Sequence, residues 1–225
     1  MIPLKDNTKS ESFPIITIII ILLNVAVFFF QNALPYQSGI RFIYEYGLVP
    51  QYLMNQPFSA QGWFTIFSSS FLHEGLAHLI GNMWILWLFG DNVEDKMGRG
   101  RFILFYLLAT LVAGICECVS DPISTIPVIG ASGAVAGVMG AYFMMFRQAR
   151  ILTYVFPIFL FAVPAWIYLG IWALVQTYLA LAETISGSVG DIALWAHVGG
   201  FLAGMLLYRF LMKPIEPGSE EFYRS

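Results

Sequence analysis

The chain has 225 residues, 58% of them hydrophobic and only 11% charged, with a mean hydropathy of +0.73. A soluble domain carries about 25% charged residues, so the composition excludes one and points to an integral membrane protein with a single embedded domain. The formal net charge of -3 comes without a basic patch, which argues against a nucleic-acid partner.

In chain order, residues 1–14 read as a short tail, and apolar segments follow at 15–34, 76–90, 101–119, 131–146, 156–182 and 192–212. Each is near the about 20 residues needed to cross about 30 Å of hydrocarbon, although the second and fourth are short. The expected fold is an all-α polytopic bundle of six transmembrane helices over residues 15–212, closed by a second tail at 213–225. The first apolar run lacks a small-residue cleavage site after it and reads as a retained signal anchor. Cys116 and Cys118 share an apolar segment and read as buried thiols, since two residues apart in a helix they would form a strained disulfide.

With six spans, the cations at 5, 9, 96, 99, 101, 147, 150, 209, 213 and 224 all fall on the side of the N-terminus, and only Arg41 falls opposite. The positive-inside rule then places both termini in the cytoplasm. If the source is prokaryotic, the membrane expected is the cell (inner) membrane. The long first outer loop, 35–75, carries Phe42, Tyr44, Tyr46, Trp63, Phe64 and Phe67, an interfacial composition that implies partial embedding. The last outer loop, ETISGSVGD at 183–191, suits either a mobile lid or a plain connector.

All three histidines lie in or beside expected spans: His73 and His78 at the start of the second, His197 near the start of the sixth. Polar groups there are costly and by default mark function, the alternative being a side chain that satisfies a carbonyl or steadies a neighbouring helix. The stretch FLHEGLAHLIGN, 71–82, approaches the HExxH pattern of zinc proteases, but its histidines are five apart rather than four. On one helix that step separates them by about 140°, so both rings cannot face one ion. Unwinding before His78 would relax this limit, yet no further carboxylate or Cys at matching depth completes a ligand set, and no metal is expected. His78 and Asn82 are four apart and share a face, as a pair of donors would.

In GASGAVAGVMGAY, 130–142, Gly130, Gly133, Gly137 and Gly140 form a smooth face at the start of the fourth span. His197 opens a matching run in which Gly200 and Gly204 repeat at four residues. Small faces of this kind let helices approach closely, which would bring Ser132 within reach of His197. Depth agrees: at 1.5 Å per residue Ser132 lies about 22 Å from Arg147, His197 about 18 to 24 Å from Arg209 and Lys213, and His78 about 20 Å from Asp91. Ser132, His197, His78 and, slightly deeper, Asn82 therefore meet in one layer about 10 Å below the outer surface.

That layer has the parts of an acyl-transfer site. Ser132 begins a helix, where unpaired N–H groups favour negative charge, and His197 can serve as general base. His78, Asn82 and the Ser132 N–H can donate to an oxyanion. Asp91, Glu117, Asp121, Glu183 and Asp191 lie near span ends, so a Ser–His dyad is expected rather than a triad. The soluble nucleophile elbow GxSxG fails by one position, since Ala134 stands where the second Gly belongs.

At these motifs the sequence resembles the rhomboid family of intramembrane serine proteases. The family pattern HxxxxHxxxN corresponds to His73, His78 and Asn82, GxSG to Gly130, Ser132 and Gly133, and AHxxGxxxG to Ala196, His197, Gly200 and Gly204. The resemblance covers the six-span core, about 15–212, and implies a catalytic dyad of Ser132 and His197 that uses no metal or other cofactor. It implies oxyanion stabilisation by His78, Asn82 and the Ser132 backbone, with His73, Gly130, Gly133, Gly200 and Gly204 in support. The implied partners are the lipid bilayer and membrane-spanning substrates cut near their outer ends, with the fifth span and last outer loop gating access. One departure stands out: well-studied members carry Tyr four residues after the nucleophile, packed on the imidazole, where this chain has Ala136. A catalytically inactive relative that binds transmembrane clients is the alternative, although such relatives usually lack the Ser or the His. A proton-relay transporter would need polar residues continuing toward the cytoplasm, and the spans below Ser132 and His197 are nearly all apolar.

Overall fold

A computed structural model describes residues 1–157, 159–187, 190 and 192–214. Ser188, Val189 and Asp191 of the expected last outer loop, and 215–225 of the expected C-terminal tail, lie outside the described residues. The structure is mostly helical. A short strand, β1 (Ile2–Asp6), precedes α1 (Ile15–Ala33), which starts at Pro14 and stops at Leu34, whose extended backbone is the conformation that the following Pro35 imposes. The expected loop 35–75 folds into α2 (Tyr36–Tyr46), α3 (Pro50–Asn55), α4 (Ala60–Ser68) and a 3-10 turn at Ser69–Phe71. Pro50 stands at the first position of α3, and the Ser59 hydroxyl caps α4 by accepting from the Gly62 N–H at 3.3 Å. α2 buries none of its residues, and Tyr36, Tyr44, Trp63 and Phe64 remain exposed.

The main body comprises α1, α5 (Leu76–Met97), α6 (Arg99–Ser120), α7 (Ser132–Met145), α8 (Ala165–Ser186) and α9 (Leu194–Leu211). Among the described residues, α1, α6, α8 and α9 are long and apolar enough to cross a membrane; α7 is shorter, at 14 residues. α5 runs past the expected end at residue 90 through Asp91, Glu94, Asp95 and Lys96. Its acidic end is buried because it caps α1 from outside: the Glu94 carboxylate accepts from the Ile16 N–H (3.0 Å), the Thr17 N–H (2.8 Å) and the Thr17 hydroxyl (2.8 Å). These are first-turn groups with no intrahelical acceptor. Glu94→Ala would orphan all three, so the unfolding free energy in detergent is expected to fall by about 3 kcal/mol, with Glu94→Gln intermediate. Thermal melts of the three proteins check this, and unchanged midpoints would contradict it.

The expectation of an all-α fold with a span from residue 156 needs correction. β2 (Arg150–Val155) and β3 (Phe159–Pro164) pair antiparallel where that span is expected to begin, residue 158 lying outside the described residues, and β1 adds antiparallel to β2, pairing Ile2 with Tyr154. Prolines decide this. In a helix interior Pro164 would remove a backbone hydrogen bond and clash with the preceding turn, so α8 begins at Ala165 with Pro164 as its cap, and the alternating Ile, Thr and Val of 151–155 favour a strand.

α7 is central: Gly133 through Tyr142 are all buried, as expected of a helix apolar on every side. Its closest neighbour is α9. A Cβ at Gly200 would lie 2.0 Å from Gly133 O, one at Gly204 1.9 Å from Gly137 O, and one at Gly140 2.0 Å from Phe201 O. The two backbones touch along about two turns, as the small-residue faces predict.

Candidate active site

Ser132 is the first residue of α7, so its N–H is one of the groups that a helix start leaves without an intrahelical acceptor. The chain reaches it through an anchored turn. Val128 pairs with Leu48 of the first loop, the Gly130 N–H donates to Ser69 O at 2.9 Å, and Gly130 holds φ at 126°, a region L side chains rarely adopt.

His78 and Asn82 stand one turn apart on α5 and face this turn. A Cβ on Gly130 would lie 2.7 Å from both Cε1 and Nε2 of His78 and 3.7 Å from Asn82 Nδ2. Gly130 is thus the space into which the imidazole fits. Gly130→Ala is expected to displace His78 and, on the serine-protease reading proposed below, to lower kcat by about 100-fold, as the loss of one oxyanion donor would. Turnover and melting midpoint measured side by side check this; wild-type kcat in a folded variant would contradict it.

His73 lies on the extended segment before α5 rather than on the helix, so the helical-angle argument against a shared ion does not apply to it. Its ring meets His78 edge to face, with centroids 5.0 Å apart. Among the described residues no group of three or more His, Cys, Asp or Glu is placed to hold a metal. What His73 does is orient Asn82. Burial, with the neighbouring His78, pushes the His73 pKa down to about 4, so the ring is neutral near pH 7. Its Nε2 then accepts from Asn82 Nδ2 at 3.0 Å, since an amide nitrogen can only donate. This fixes the amide with Nδ2, not Oδ1, toward Gly130, leaving its second N–H for another acceptor. Gln31 of α1 holds His73 in turn, donating to its carbonyl at 2.9 Å.

His197 enters from α9. With a Cβ on Gly133 that atom would lie 3.5 Å from Ala196 O and 3.6 Å from Ala196 Cβ, so the residue after Ser132 touches the residue before His197. The structure contains no hydrogen bond between Ser132 and His197 among the described residues; such bonds are often long in resting sites. Three groups to which the sequence assigns no role at the site act on His197 and its helix. The Glu117 carboxylate of α6 accepts from the Ala196 N–H at 2.8 Å, capping α9. Gln176 of α8 places Oε1 2.7 Å from His197 Nδ1, and the Trp172 ring lies 6.0 Å from the imidazole at 34°. An isolated Gln in an apolar span is the sequence signal for the Gln176 contact. Ala136, buried on α7, leaves the ring to be held from α8 instead. A cavity of about 30 Å³, room enough for a water molecule, adjoins Ser132 and is lined also by Ser69, Ser70, Thr110 and Ala193.

The model of the Rhomboid domain matches residues 60–214 of this chain. The chain belongs to the rhomboid family. It is 30% identical over 201 residues to Rhomboid protein 1, mitochondrial, of Saccharomyces cerevisiae, covering 86% of this chain and 52% of the yeast protein. To Rhomboid protease GluP of Bacillus subtilis it is 34% identical over 129 residues, 57% of this chain and 24% of that one. To Putative rhomboid protease YdcA of the same organism it is 28% identical over 146 residues, 64% and 65% of the two chains. This rhomboid therefore spans about half or less of the first two relatives and just under two thirds of the third. With its family and its apolar helices, it is an integral membrane protein.

Proposed function

We propose that this rhomboid is an intramembrane serine endopeptidase that hydrolyses peptide bonds in or near transmembrane segments of membrane-protein substrates. Ser132 Oγ attacks the carbonyl carbon while His197 Nε2 takes its proton. The Ser132 N–H, His78 and Asn82 donate to the oxyanion, and His197 returns the proton to the leaving amine. Water then attacks the acyl-enzyme by the same route. The observation that carries this reading is the contact between Gly133 and Ala196 beside the dyad, with His78 Nε2 and Asn82 Nδ2 gathered at Gly130.

The same reading takes α1 and α5 to α9 as six spans with both termini cytoplasmic, supported by ten cations on one side against Arg41 on the other. The relatives include a mitochondrial protein beside proteins of Bacillus subtilis, so the family does not favour a prokaryotic inner membrane. Purified chain in liposomes with a membrane-spanning reporter tests the function. Fragments cut near the outer end of the segment are expected, and an inert protein on a panel of such reporters would sink the proposal in favour of a client-binding role.

A further inference from the structure

Ala136 removes the aromatic ring that would pack on the catalytic imidazole from α7, yet a general base must present one defined nitrogen. Orientation by packing is not enough for this. Trp172 lies beside the ring and restricts its plane, but an indole has no acceptor and cannot choose between tautomers. Glu117 is engaged with the Ala196 N–H. Gln176 Oε1 is the acceptor within reach of the ring, 2.7 Å from Nδ1. A carbonyl oxygen carries no proton, so Nδ1 must donate, which leaves the lone pair on Nε2 to receive the proton of Ser132.

We infer that Gln176 is the positioning residue of the catalytic base, holding His197 in the Nδ1-protonated tautomer from α8; the inference rests on the Ser132–His197 reading. α8 is thinly anchored, with Ala165, Tyr168, Leu169 and Ala180 as its buried residues, and it packs mainly on α9. Because the acceptor rides on this helix, outward displacement of α8 releases the ring. The oxyanion donors on α5 are left in place.

Three variants test it: Gln176→Leu, Gln176→Met and Gln176→Glu, assayed for kcat, KM and the rate at which a fluorophosphonate labels Ser132. The two apolar variants are expected to lose about 100-fold in kcat with KM unchanged, labelling slowing in parallel. Gln176→Glu, which keeps a carbonyl-type oxygen to accept from Nδ1, is expected to stay within about tenfold of wild type. Melting midpoints identify a variant that fails to fold, in which case the other apolar variant decides. Wild-type kcat in a folded apolar variant, or a Glu variant as slow as Leu, overturns the inference. Labelled wild-type Ser132 with no slowing in the variants defeats the role of Gln176 alone; unlabelled wild-type Ser132 defeats the dyad itself.

Discussion

Ser132→Ala and His197→Ala are each expected to lower cleavage by roughly 10⁴-fold or more, and the double variant to lose no more than either alone. The non-additivity follows from the shared step. Without the hydroxyl no acyl-enzyme forms, whatever base is present; without the imidazole the hydroxyl keeps its proton and is a poor nucleophile. The α7–α9 contact is made by Gly133, Gly137, Gly200 and Gly204, so Ser132→Ala should keep the wild-type melting midpoint, whereas His197→Ala also leaves Gln176 without its partner and should cost about 1 to 3 kcal/mol of stability without unfolding the protein. A turnover series of wild type, both singles and the double decides the point. Losses that multiply in the double variant would mean that the residues act in separate steps.

The largest stability effect is expected at Gly204. A Cβ there would lie 1.9 Å from Gly137 O and 2.9 Å from Ala141 N. Both are backbone atoms of a buried helix, which no rotamer change can move aside. The helices must separate, which also draws His197 away from Ser132. Ordinary overpacking costs about 1 to 3 kcal/mol; here the loss should exceed about 4 kcal/mol, leaving little folded protein. Gly81→Ala is the control, since a Cβ there meets nothing within 4 Å. As a helical glycine it should gain up to about 1 kcal/mol on substitution. Unfolding in detergent compares the two, and equal midpoints would contradict the close-packing account.

Much of this architecture is legible in the sequence, because the membrane demands long apolar runs and prolines and glycines bound them. Ile15, Leu76 and Ser132 open α1, α5 and α7 within a residue of where hydropathy places them. Apolar residues alone do not distinguish strand from span, so the β2–β3 hairpin is legible only through the limits set by Pro157 and Pro164. The last turns of α5 are hidden for a different reason. Asp91, Glu94 and Asp95 look like a loop, and their partners on residues 10–17 are distant in sequence. At the site, the four-residue step revealed His78 and Asn82, and the glycine faces revealed which helices meet. His73 precedes the helix whose spacing it shares in the sequence; Gln176, a lone amide in an apolar span, signals function by its polarity but has no spacing that names its partner.

Catalysis by the dyad requires Ser132 to be an activated nucleophile, and covalent labelling measures that directly. The full chain in detergent is treated with a fluorophosphonate probe and the modified peptide mapped by mass spectrometry. A single adduct on Ser132, absent in His197→Ala, is the result predicted. No adduct in folded wild-type protein, or one that persists without His197, would contradict it.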